Sequence, residues 1–180
     1  MKKLIMALAI LCSTIGYSQE TEDSQDILRK NEFKINMTNL IIFKWVDVSY
    51  ERILNEESTF GVGTLFSLDQ DYNDDVLDEY RTFSITLYYR HFFSKKYAQG
   101  FFVEGFGMLH SGKDGYFIYS DFTNYEDKYT DFAVGISAGA KFVTKRGFVA
   151  EIYLGIGRDL LGNSDIEVVG RGGIAIGYRF

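Results

Sequence analysis

The sequence predicts an all-β chain folded as one eight-stranded antiparallel transmembrane up-and-down β-barrel. Three observations carry this. Beyond Glu32, apolar and polar residues alternate with period two, as strands with two unlike faces require. The composition joins 46% hydrophobic and 17% aromatic residues to 18 glycines, yet mean hydropathy is only −0.09, so the apolar residues are dispersed among polar ones. Proline is absent, which suits a chain committed to ladder hydrogen bonds that proline cannot donate. A length of 180 residues is one domain's worth of chain.

In chain order, Lys2 and Lys3 precede an apolar run from Leu4 to Leu11, and small and polar residues follow to Gly16-Tyr17-Ser18. This predicts a cleavable signal peptide over 1–18, with cleavage before Gln19. The apolar run falls short of the roughly 20 residues of a spanning helix. Cys12, the single cysteine, follows bulky Ile10 and Leu11 instead of the small residues of a lipidation site. Processing would therefore leave no disulfide or thiol chemistry. It would also remove two of the 19 basic residues and none of the 25 acidic ones, an acidic balance that argues against nucleic acid as a partner. Residues 19–31 are a polar, acidic segment without periodicity, and 32–180 form the barrel domain.

Strands are predicted at about 32–41, 44–54, 58–68, 81–91, 99–110, 132–142, from 148 onward, and at 170–180. In the fourth, Phe83, Ile85, Leu87 and Tyr89 take one face while Thr82, Ser84, Thr86, Tyr88 and Arg90 take the other. The sixth sets Phe132, Val134, Ile136, Ala138, Ala140 and Phe142 against Ala133, Gly135, Ser137, Gly139 and Lys141. Phe148, Ala150, Ile152, Leu154 and Ile156 continue the pattern in the seventh. Most of these segments are near the 9 to 11 residues of a tilted membrane strand. Closure is compulsory in hydrocarbon, where an open edge leaves backbone groups unpaired.

The same alternation would fit a soluble barrel with an apolar lumen, and the polar face decides between the two. It is built mid-strand from small residues such as Gly61, Gly135, Gly155 and Gly177, which suit a cramped interior. The other face ends in rings (Phe33, Phe60, Phe101, Phe142, Phe148), as interfacial girdles do. Short turns at 55–57, 94–98 and 144–146 oppose long connections at about 69–80, 110–131 and 157–169, which hold 14 acids. That asymmetry places both termini in the periplasm and the acidic loops outside.

The closing segment Gly170 to Phe180, with Ile174, Ile176, Tyr178 and Phe180 at alternate positions, resembles the assembly signal of outer-membrane barrels. That resemblance implies recognition of Tyr178 and Phe180 by the barrel-assembly machinery. The whole region beyond the polar segment resembles the small eight-stranded families typified by OmpX and the membrane domain of OmpA. It implies an outer-membrane location with lipid and lipopolysaccharide around the wall.

No constellation points to catalysis, a cofactor or a metal. The acids between Asp69 and Glu79 open like a calcium loop but lack the turn glycine, and Tyr80 stands where the bidentate glutamate belongs. His110 and Ser111 are adjacent, so in a strand they face opposite ways, and His91 has no partner at a useful spacing. Gly155-Ile156-Gly157 lacks the third glycine of a nucleotide loop. Gly115 to Tyr129 is dense in rings, which suits either a hairpin continuing above the membrane or a docking surface for a protein or glycan.

The inward parity carries Lys34, Asp47, Glu51, Arg90, Glu104, Lys141, Glu151, Arg171 and Arg179. Charges in a narrow interior must pair, and the expected pairs join Glu51, Glu104 and Glu151 to Arg90, Lys141 and Arg179. The expected function is a structural or interaction component of the envelope, with the lumen filled. An accessory subunit of a larger outer-membrane complex, a narrow pore and a lipid-modifying barrel enzyme are the alternatives.

Overall fold

The computed structural model describes residues 29–68, 80–118, 123–162 and 167–180. Eight strands, β1 (Asn31–Asn36), β2 (Trp45–Asn55), β3 (Ser58–Ser67), β4 (Tyr80–Phe92), β5 (Gly100–Ile118), β6 (Thr123–Val143), β7 (Phe148–Asp159) and β8 (Val168–Arg179), pair antiparallel in sequence order. β8 returns to β1, closing the barrel. Asn31 and Phe180 exchange backbone hydrogen bonds of 3.0 and 2.8 Å at this seam. The short turns 56–57, 93–99 and 144–147 lie at the same, terminal end.

Alternation sorts the residues between two faces in the reverse of a water-soluble domain. Phe33, Phe60, Leu87, Ile136, Leu154 and Tyr178 are all exposed on the outer wall, whereas Glu32, Lys34, Glu51, Arg90, Glu104 and Arg179 are buried inside. The lumen, and not a layer between sheets, is the core.

Three connections differ from the sequence reading. The predicted first strand ends early: a six-residue helix, α1 (Met37–Ile42), replaces its second half. Asn36 stops the strand because its side-chain oxygen accepts from the Asn39 N–H at 3.2 Å, capping the helix. Lys44, at φ 53°, then turns the chain into β2. The predicted connection at 110–131 is largely ladder, since β5 and β6 stay paired out to Ile118 opposite Thr123. β4 leaves β5 at Lys113 and β7 leaves β6 at Ala133, so the β5–β6 hairpin projects beyond its neighbours. The last strand begins at Val168, earlier than predicted. The signal segment 1–18 and the acidic run 69–79 lie outside the described residues.

Candidate functional site

Because inward residues recur every second position, each strand contributes charges at fixed heights, and register decides which of them meet. Glu51 on β2 is the hub. Lys34 on β1 lies 2.5 Å from it, Arg90 on β4 lies 3.0 Å away, Lys141 on β6 donates to its other oxygen, and the Tyr88 hydroxyl donates at 3.2 Å. Arg90 spans the lumen, donating to Glu104 at 2.6 Å and to Glu151 at 2.7 Å. Lys34 also reaches Glu151, at 2.9 Å. Glu104 further accepts from Ser137 at 2.6 Å and Arg171 at 2.8 Å.

Arg179 meets none of the three glutamates expected for it. It lies on Glu32, with Nε 2.8 Å from Oε1, and Lys141 donates to the same carboxylate at 2.8 Å. Glu32, where the alternation begins, shares the parity of Lys34 and is buried with it. With Glu32 added, the charges named from parity come to five acids and five bases, and Arg81, Asp131 and Asp159 are buried inside as well. Asp47 accepts from the amides of Asn36 at 3.1 Å and Asn39 at 2.7 Å.

Rings and backbone complete the filling at the terminal end. Ile53, Phe92, Ala98 and Phe102 pack together, and Arg179 also donates to the carbonyls of Tyr97 and Ala98 in the tucked β4–β5 turn. The Arg90 guanidinium lies 4.4 Å from the Phe102 ring centre and 4.7 Å from that of Tyr88, contacts that favour a desolvated cation. Facing glycines make room for the rings: a Cβ on Gly61 would lie 2.2 Å from Tyr88 Cζ, and one on Gly139 would sit 2.7 Å from Phe102.

The lumen is not filled throughout, contrary to the sequence expectation. Beyond Tyr153 and Arg171 a cavity opens in the far half and runs out onto the outer wall, about 980 Å³ in all. Its lining includes the inward residues Asp47, Leu65, Arg81 and Met108 and also the outward residues Leu154 and Ile174. This feature had no counterpart in the sequence reading, because it depends on where β1 ends.

The remaining candidates separate cleanly. His110 and Ser111 both stay in the ladder, opposite Asp131 and Thr130. His110 is buried with Nε2 2.8 Å from Asp159, while Ser111 is only half-buried. The two therefore do not face one another. His91 packs edge-on against Phe93, ring centres 4.9 Å apart. Gly155-Ile156-Gly157 lies within β7, where a Cβ on Gly155 would strike Ser137. Tyr178 and Phe180 are both exposed on the outer wall.

The chain matches no protein-family profile and no curated protein. Among solved structures it is similar to the crystal structure of the N-terminal β-barrel domain of Pseudomonas aeruginosa OprF, with a TM-score of 0.51 and 16% sequence identity. The likeness covers 84% of this chain and 98% of that one, and at this identity it extends to the fold: a closed, eight-stranded antiparallel β-barrel.

Proposed function

We propose that the chain is an integral outer-membrane barrel of the OmpX and OmpA-membrane-domain kind, exported by its signal peptide, with both termini in the periplasm. It serves as a non-enzymatic structural or interaction component of the envelope. The observation that carries this reading is the outer wall, apolar on every strand around an interior of charges. Exposed apolar area on that scale would be an aggregation liability in water, whereas in a bilayer it meets acyl chains and lipopolysaccharide. The interlocked charges at the terminal end favour a closed lumen over a pore.

The processed protein is expected to begin at Gln19, to fractionate with outer membranes and to give no steady conductance in planar bilayers. A soluble periplasmic product, or a retained Met1, would refute the placement. Open-channel current would refute the closed lumen.

A second reading, recognition of a protein or glycan partner as in an accessory subunit, is favoured by the β5–β6 hairpin, which projects past its neighbouring strands. Replacing residues 115–129 by a short turn should abolish partner capture and leave the barrel heat-modifiable on gels, because shortening a connection changes closure entropy little. Capture of every partner by the shortened protein would place recognition elsewhere.

A further inference from the structure

We propose that the cavity in the far half of the lumen binds a single-chain anionic amphiphile admitted sideways from the membrane, through a break in the wall between β8 and β2. The inference rests on the outer-membrane reading above.

The break follows from the shortness of β1. Its ladders end with Ile35 opposite Val48 and Asn36 opposite Ala175. Past that point Gly170–Gly173 of β8 and Trp45–Asp47 of β2 have α1 between them in place of a strand. Two hydrogen bonds stitch this stretch: the Ile174 N–H donates to Thr38 Oγ1 at 2.9 Å, and Asn36 Nδ2 donates to the Gly172 carbonyl at 3.0 Å.

The break lies at the height of the apolar wall. Gly172 and Gly170 stand opposite the exposed Leu154 and Ile156, and on the other flank Val46 stands opposite the exposed Phe66. Irregular backbone at membrane depth is tolerated where it is buried in protein or lines a cavity. Here it lines one: Gly170, Gly172 and Gly173 all border the cavity, as do residues from both faces of the wall. At Gly170, on the outer face beside the break, an added Cβ would meet nothing within 4 Å, so a larger side chain can be accommodated there.

The lining sets the ligand class. Phe43, Trp45, Leu65 and Met108 give an apolar throat, suited to a hydrocarbon chain. Arg171 and Asp47 both line it, and Asp47 already accepts from two amides. Arg171 gives Nη1 to Glu104, and a guanidinium carries five donors in all, so others remain for an anionic head.

The chain carries its own reporter, since Trp45 is the sole tryptophan and lines the cavity. Full-length processed protein in phosphatidylcholine vesicles is titrated with cis-parinaric acid, and energy transfer from Trp45 is read. Saturable transfer is expected, with the methyl ester binding about tenfold more weakly because the charge-assisted contact is lost. Gly170→Phe, which fills the break, should weaken or slow binding to a similar degree. Gly105→Phe, at another outward glycine with nothing within 4 Å of its Cβ, should leave it unchanged.

Transfer that rises linearly with probe, equal binding of acid and ester, or indifference to Gly170→Phe would overturn the proposal. Vesicle flotation separates the two readings. Protein that floats yet shows no saturable transfer overturns the site alone, and protein that does not float overturns the membrane placement with it.

Discussion

Glu51→Gln is expected to destabilise the folded barrel by about 3 to 5 kcal/mol, the usual cost of removing one partner from a buried ion pair. Glu51 is fully buried and receives Lys34, Arg90, Lys141 and the Tyr88 hydroxyl. The amide has similar volume, so packing is preserved while three converging cations lose their shared counter-charge. Lys34 and Arg90 keep Glu151, and Lys141 keeps Glu32, which limits the loss but leaves these three cations one carboxylate fewer. Glu104→Gln should cost less, because Arg90 retains two other carboxylates and Arg171 lies among the rings of Tyr88, Tyr153 and Phe106. Urea titration of the detergent-solubilised protein, followed by Trp45 fluorescence, measures both. An unchanged midpoint for Glu51→Gln would mean that this carboxylate is hydrated, and the hub would have to be reassigned.

The second large effect is expected at the seam. Gly177 on β8 stands opposite Lys34 on β1, and a Cβ there would overlap the Phe33 carbonyl oxygen and come within 2.6 Å of Lys34 Cγ. A carbonyl held in a ladder cannot swing aside as a flexible side-chain tip can. Gly177→Ala must therefore push β1 away from β8, along a seam only five residue pairs long. Overpacking of this kind typically costs about 1 to 3 kcal/mol, and displacing Lys34 also disturbs its contacts with Glu51 and Glu151. Gly105→Ala, on the open outer face, should stay within about 0.5 kcal/mol of the parent, as surface changes usually do. The same urea titration decides: equal midpoints for the two variants would show that the seam yields without cost.

The barrel was legible because a strand with unlike faces repeats its choice every second residue, and Phe83 to Tyr89 or Phe132 to Phe142 do so without a break, whereas the register shift between Arg81 and Phe83 buries Arg81 against its parity. β1 was only half legible. Met37 to Ile42 carries apolar residues that fit a strand tolerably well, and what turns it into a helix is the Asn36 cap together with anchors on β8 and β2, none of which is local. The charged interior divides in the same way. Parity alone assigns a side chain to the inner face, but which charges touch depends on register around the whole circumference. Arg179 thus meets Glu32, its cross-strand neighbour over the β1–β8 seam, and not the glutamates of β2, β5 and β7. The large inward rings were hidden for a related reason: Phe102 fits only because Gly139 faces it on the adjoining strand.

The sequence separations within the network bear on when its bonds can exist. Arg90 with Glu104 and Lys34 with Glu51 are 14 and 17 residues apart, and each pair joins neighbouring strands that can associate before the cylinder is complete. Lys141 with Glu51, Lys141 with Glu32, Lys34 with Glu151 and Arg179 with Glu32 are separated by 90, 109, 117 and 147 residues. These four wait for distant parts of the chain to come together. Interactions absent from the folding transition state slow escape from the native basin without hastening arrival. The four long-range pairs therefore function as a latch: they bear little on how fast the barrel forms and strongly on how long it stays shut.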